Sequence, residues 1–402
     1  MSTPKFYRSA AFGAAVLLGA VGLAACGDDS DGGGSGGSDA DITSACSLDS
    51  PPTSEASAPP AGDTSAQASG KVGVILPDTT SSTRYELYDA PLLTKALTDA
   101  GIDADVQNAQ GDKNKFASIA QSMIGQGVDV LIIDSIDAAS GAGVEQAADE
   151  AGVDVIDYDR VNLGGSAPYY VSFDNQDVGR LQAQTMVDCL EAQDIDKPRI
   201  IMMNGGTDVD NNAVLFQKGA HEVLDPLADS GDIEIVSEAT VKGWLVENAA
   251  PAFSQALTAA GGDVQGVLAA NDDIANAVVG VLKNQGLDGH VVLTGQDASV
   301  EGLQNVITGK QSMTIFKDVT LEAAAASQLA IALITGTDPA DAGMTLAPFE
   351  DPQAPDHALE ALLLPAQVIT QANVQDIIDA GALTVDDLCA GIEDDCDELG
   401  LS

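Results

Sequence analysis

Residues 104–133 read ADVQNAQGDKNKFASIAQSMIGQGVDVLII, and three segments separate in them by period alone. Ala104–Gln107 is a short run suited to a strand, and Lys113–Gly125 spaces its apolar residues as a helix does. Val128–Ile133 is again a β-branched, largely apolar run, as expected of a strand covered on both faces. The alternation extends in both directions. Upstream, Val72–Leu76 precedes a helical stretch at Tyr85–Ala100. Downstream come the runs Val153–Asp157, Tyr169–Ser172, Arg199–Met203, Ile233–Val236, Gln265–Ala269, His290–Thr294 and Ser312–Phe316. Helical stretches such as Gln176–Ala192, Ala213–Ala228, Glu247–Ala260 and Ile274–Asn284 lie between them. Strand–helix–strand repetition implies parallel sheets with helices on both faces. About ten strands exceed one comfortable sheet, so the expected class is α/β, with two doubly wound parallel-sheet lobes.

The chain has 402 residues, 45% of them hydrophobic, with 41 Gly and few aromatics, which suits such a fold and no fibrous or disordered class. Its 62 acidic residues against 16 basic ones give a net charge of −46. Phosphate contacts need Lys/Arg clusters, so nucleic acid is excluded as a partner, and adsorption to anionic lipid headgroups with it. Such a charge favours a soluble monomer.

Lys5 and Arg8 precede an apolar stretch from Ala10 to Ala25, and the segment ends Leu23-Ala24-Ala25-Cys26. This is the pattern of a lipoprotein signal peptide at 1–25, with Cys26 as the lipidated residue, which predicts export and anchoring on the outer face of the cell membrane. Residues 26–70 lack Lys, Arg and nearly all large apolar side chains, and read as a disordered acidic tether. Four further cysteines, Cys46, Cys189, Cys389 and Cys396, favour two disulfides in an exported protein, with three connectivities open. Cys389 and Cys396 are spaced for a small local loop, and Cys46 with Cys189 would then pin the end of the tether. No CxxC pair or nearby His supports metal, and no Walker A or dinucleotide fingerprint supports a cofactor, so none of either is expected.

Ligands of open parallel sheets bind outside the carboxyl ends of the strands. Those ends carry Arg84-Tyr85, Asp159-Arg160, Asp210-Asn211-Asn212, Trp244, Asn271-Asp272, Gln296-Asp297 and Lys317. Carboxylates, carboxamides, guanidinium forks and aromatic faces together suit a polyol, whose vicinal hydroxyls need paired donors and acceptors and whose C–H face needs an apolar plane. Each has a plainer role as well: Asn or Asp at a strand-to-helix junction is commonly an N-cap, and a lone Trp commonly core.

In order, Tyr158-Asp159-Arg160, Val171-Ser172-Phe173-Asp174-Asn175, Asp210-Asn211-Asn212-Ala213, Gly243-Trp244-Leu245, Ala270-Asn271-Asp272, Gly295-Gln296-Asp297-Ala298 and Met313-Thr314-Ile315-Phe316-Lys317 resemble the signature segments of xylose-binding proteins. These belong to the type I periplasmic-binding-protein superfamily, which serves ATP-binding-cassette sugar importers. The resemblance covers roughly Lys71 to Thr384. It implies two lobes joined by a three-stranded hinge, with one monosaccharide between them and a transporter permease as partner. The implied lobes are 71–175 plus 318–350 and 176–317 plus 351–402. The implied sugar contacts are Arg84, Arg160, Asn212, Trp244, Asn271, Asp297 and Lys317, with Tyr85 as second stacking face and Asp159 beside them. Tyr85 stands where a Trp or Phe is expected, and Gln217 where the family can carry a basic residue. D-Xylose is the first expectation, with glucose or ribose as alternatives, and a membrane sensor is the alternative partner.

Two other classes can be set against this. An enzyme cleaving glycosides needs a close carboxylate pair, for which Asp159 and Asp297 are the candidates. A sugar-responsive transcription regulator needs an N-terminal DNA-binding helix pair, and the leader and acidic tether occupy that place.

Overall fold

A computed structural model describes residues 43–46, 48, 50–56 and 68–401. The leader at 1–25, the lipidation candidate Cys26 and most of the proposed tether lie outside the described residues. Strands and helices then alternate: β1 (Lys71–Leu76), a π-helical turn at Tyr85–Asp89, α1 (Ala90–Asp99), β2 (Asp103–Asn108), α2 (Lys113–Gly125), β3 (Val130–Ile133), α3 (Ala138–Ala151), β4 (Asp154–Tyr158) and β5 (Tyr169–Phe173). The chain continues through α4 (Asn175–Glu191), β6 (Arg199–Asn204), α5 (Asn211–Ser230), β7 (Glu234–Thr240), α6 (Ala249–Ala259), β8 (Gly266–Ala269), α7 (Asp272–Gln285), β9 (Val292–Leu293), α8 (Val300–Ile307) and β10 (Thr314–Phe316). It then returns in α9 (Val319–Thr335), β11 (Ala347–Phe349) and β12 (Leu359–Leu364), and ends in β13 (Gln367–Ile369) and three short helices.

The first sheet has the order β11-β12-β5-β4-β3-β1-β2, parallel except for the edge strand β11. The second has the order β7-β6-β8-β9, all parallel. The antiparallel pair β10–β13 continues it, because Ile315 N–H donates to Gly295 O and Asp297 N–H to Ile315 O. Each sheet has its own core. Val72, Val74, Leu131, Ile132 and Ile156 are buried in the first; Ile201, Met203, Val267 and Leu293 are buried in the second. In both sheets the strand order reverses beside the first strand, between β1 and β3 and between β6 and β8. Such reversals open a crevice at the carboxyl ends of the strands.

The chain passes between the sheets at 173–175, at 316–319 and at 364–367. The last passage corrects the expected division at 350: residues 351–364 belong with the first lobe, because β12 pairs in parallel with β5 over Tyr169–Phe173. A second correction concerns the tether. Residues 43–46 and 50–56 lie against the second lobe: Cys46 is bonded to Cys189, Thr53 bridges Gln367, and Ser54 Oγ and Glu55 N–H both donate to Asp177. Composition averaged over 26–70 hides these specific polar contacts. Cys389 is bonded to Cys396.

Two glycines set how closely α4 and α5 approach. A Cβ on Gly179 would stand 1.9 Å from Phe216 O, and one on Gly219 1.9 Å from Gln176 O. Backbone cannot yield there as a side-chain tip can. Gly219→Ala is therefore expected to lower stability by about 1–3 kcal/mol through forced separation of the helices, as a denaturant midpoint would read. An unchanged midpoint would mean that the contact is slack.

Candidate functional site

Both crevices face one cavity, and its first wall begins after β1. Asp78 accepts from Thr80 N–H, Ser81 N–H and Ser81 Oγ, shaping the loop that leads to Arg84. Arg84 and Asp89 are five residues apart, which on an α-helix would place them on different faces. The intervening turn is π-helical and closes i to i+5. Arg84 Nε thus reaches Asp89 Oδ2 at 3.0 Å and Nη2 reaches Oδ1 at 2.7 Å. Nη2 also meets Glu322 on α9, and Tyr158 OH donates to Asp89 at 2.6 Å. The remaining arm, Nη1, points to Asp159 Oδ1 at 3.2 Å.

Asp159 follows β4 with φ +57°, and Trp244 (+59°) and Asp297 (+90°) share this left-handed backbone. Non-glycine residues held there mark sites where the surrounding structure imposes a conformation, and these three all line the cavity. Burial opposes the charge of Asp159, but Arg84, Lys317 and Arg160 outweigh it and hold the carboxyl below its ordinary range. Tyr85 OH donates to its Oδ2 at 3.2 Å.

Arg160 projects one guanidinium nitrogen to Ser81 Oγ (3.1 Å) and Tyr85 OH (3.2 Å), and the other to Ser135 O (3.2 Å). Its Nε has no hydrogen-bond partner, with Asp210 at 3.6 Å and Asp134 at 3.7 Å. Burial raises the carboxyls of Asp134 and Asp210 against the pull of Arg160. The Tyr85 ring lies within 5.5 and 5.7 Å of the two guanidinium carbons.

The second lobe supplies the opposite wall. Trp244 packs over Gly205-Gly206, where a Cβ on Gly205 would fall 2.0 Å from the indole, and its Nε1 donates to Asp210 at 3.0 Å. Phe216 meets the indole edge to face at 6.4 Å. Asn271 N-caps α7 through its oxygen, accepting from Ile274 N–H at 3.0 Å. The plainer role is therefore real, although the residue also lines the cavity. Lys317, on the passage between lobes, reaches Asp297 at 3.1 Å and sits against the rings of Phe173 and Phe216.

Of the ten residues expected from the sequence, Arg84, Tyr85, Asp159, Arg160, Asn212, Trp244, Asn271, Asp297 and Lys317 line this cavity. Gln217 does not: its amide turns to Glu238, away from the site. Helical spacing explains the correction, since Phe216, four residues after Asn212, shares its face and residue 217 does not. Ser81, Ser82, Asp210, Phe216 and Gln296 also line the cavity without having been singled out as contacts. Phe216 was legible from that spacing; Asp210 was masked by its N-cap bond to Asn212 N–H.

The outcome is a polar, charge-compensated cavity with an aromatic floor, suited to a neutral ligand rich in hydroxyls. No cluster among the described residues has the composition of a metal site. Among them, too, no helix is long and apolar enough to cross a membrane.

Comparison with known proteins agrees with this geometry. Residues 72–338 match the model of a periplasmic binding protein domain. The chain is 36% identical over 271 residues to the D-xylose-binding periplasmic protein of Escherichia coli, covering 67% of this chain and 79% of that one. It is 37% identical over 246 residues to the protein of the same description from Haemophilus influenzae, covering 61% and 72%. Among solved structures, a carbohydrate transporter solute-binding protein of Chloroflexus aurantiacus, in complex with D-glucose, superposes with a TM-score of 0.72 at 29% identity, covering 80% of this chain and 98% of that one. The chain belongs to the type I periplasmic binding protein family, in the group that includes these D-xylose-binding proteins.

Proposed function

We propose that the protein is an extracytoplasmic receptor that captures one monosaccharide, D-xylose before other aldoses, between its lobes and delivers it to an ATP-binding-cassette importer. The observation that carries this is the pairing of two buried guanidinium forks, Arg84 and Arg160, with Asp159, across a cavity whose other wall is Trp244, Asn271 and Asp297. A hydroxyl between such groups can donate and accept at once. A wrong epimer would leave a buried polar atom unpaired, which is how such a site discriminates. The relatives' ligands support a pentose or a hexose of similar ring stereochemistry.

On this reading the protein binds and does not catalyse. Asp159, held ionised by three cations, is a poor proton donor for glycoside cleavage. Lipid anchoring through Cys26, a monomeric state and lobe closure around the three interlobe passages complete the proposal. A panel of aldoses tested by thermal shift checks it. A ligand that binds only the folded state stabilises by RT ln(1 + [L]/Kd), about 2.7 kcal/mol at a hundredfold excess over Kd. Xylose should give the largest rise, glucose a smaller one, and charged sugars none. A larger rise with ribose would keep the mechanism and change the substrate.

A further inference from the structure

Asn212 is used from both ends by the opposite lobe. Its Nδ2 donates to the backbone carbonyl of Asp159 at 2.8 Å, and its Oδ1 lies 3.1 Å from Tyr170 OH. Asp159 and Tyr170 belong to the first lobe, on and beside β4 and β5, whereas Asn212 opens α5 of the second. The Asp159 carbonyl also accepts from Ser172 Oγ at 2.8 Å and faces Tyr170 OH at 2.9 Å. Three donors thus converge on an oxygen with two lone pairs. The tyrosine has one proton and two acceptors within reach.

We infer that Asn212 is an interlobe latch and that Tyr170, a fully buried residue that does not line the cavity, sets sugar affinity by serving that latch. When the lobes part, the Tyr170 proton and Ser172 together satisfy the Asp159 carbonyl. When they close, the Asn212 amide takes one of those places, and the released tyrosine proton turns to the Asn212 oxygen. Asn175 Nδ2, 3.3 Å from the hydroxyl and at the first interlobe passage, fixes the ring's polar end by donating to it. Closure therefore leaves the Asp159 carbonyl, the Tyr170 hydroxyl and both ends of the Asn212 amide paired, and it does so with no atom of the ligand. The left-handed backbone of Asp159 has a purpose in this arrangement, since it aims the carboxylate into the cavity while its own carbonyl meets the second lobe.

This inference rests on the sugar-receptor reading, and the test separates the two. Tyr170→Phe keeps the ring and its edge contact with Phe349 (5.3 Å) and removes only the hydroxyl. Stopped-flow mixing with xylose, followed by the emission of Trp244, should show dissociation about three- to tenfold faster, as loss of one hydrogen bond predicts, with association within about twofold of wild type and the order of preference among sugars unchanged. A purely structural role would lower the melting temperature without that split between the two rates. Small-angle scattering of the unliganded protein gives a second reading, independent of any sugar: Tyr170→Phe and Asn212→Ala should each enlarge the radius of gyration, and the double variant should add nothing further. If Tyr170→Phe does not fold, Asn212→Ala carries the scattering test alone. Wild-type binding together with unchanged dissociation in Tyr170→Phe overturns the latch; binding of no aldose by wild type overturns the receptor reading instead.

Discussion

Arg160→Ala is expected to weaken xylose binding by about 3–5 kcal/mol, roughly 10²- to 4 × 10³-fold in Kd. The size follows from burial. Arg160 is 5% exposed, and it gathers Ser81, Tyr85 and Ser135 from the segments after β1 and β3 of the first lobe while facing carboxylates on both lobes. On the proposed reading truncation removes a charge-assisted donor to the ligand, and it also leaves Asp134 and Asp210 buried without their cation. Arg160→Lys should recover only part of the loss, because an ammonium cannot span two acceptors as the planar fork does. Isothermal titration, with circular dichroism to show that the variants are folded, checks this. Affinity within threefold of wild type would remove Arg160 from the site.

Asp159→Asn should cost at least about 2 kcal/mol of binding, within the range for losing one partner of a buried charged pair. Asparagine tolerates left-handed backbone at least as well as aspartate, so φ +57° is kept and the substitution isolates the charge. The sign of the pH dependence follows from the lowered carboxyl. A depressed group contributes fully above the ordinary carboxylate value and loses that contribution as pH falls through its own lower one. The Asp159 contribution, read as the difference between wild type and Asp159→Asn, should therefore be level from pH 8 to about 5 and fall only below about 4, because Asp134, Asp210 and Glu322, whose carboxyls burial raises, are present in both proteins. A difference between the two proteins that falls near pH 6 would show that the three cations do not hold the group ionised. The asparagine variant should lack the acid limb while starting from weaker binding.

Much of this site could be read from the sequence because its residues occupy a position that topology makes special. Arg84, Asp159, Arg160, Asn271 and Asp297 each follow a β-branched or apolar run, and the ends of parallel strands gather wherever such runs form one sheet. What escaped depends on relations that no local pattern records. Leu359–Leu364 reads Leu-Glu-Ala-Leu-Leu-Leu, a composition that favours helix as much as strand, and only pairing with β5 makes it a strand of the first lobe. Asp89 and Glu322 hold Arg84 through a π-turn and a helix more than 200 positions away, and neither leaves a periodic trace. Residues 43–46 and 50–56 have the composition of a tether, yet one disulfide and a few hydrogen bonds to Asp177 and Gln193 hold them to the second lobe.

Trp244 is the only tryptophan of the chain, so its emission reports on one wall of the cavity. The most direct measurement is a titration of the purified protein with D-xylose, followed by that emission and by calorimetric heat. A saturable shift or quench at one sugar per chain with matching heat is expected, and a loss of about 1–3 kcal/mol of binding in Trp244→Ala from the apolar area removed. Emission and heat unchanged by xylose and by every other aldose would contradict the receptor reading.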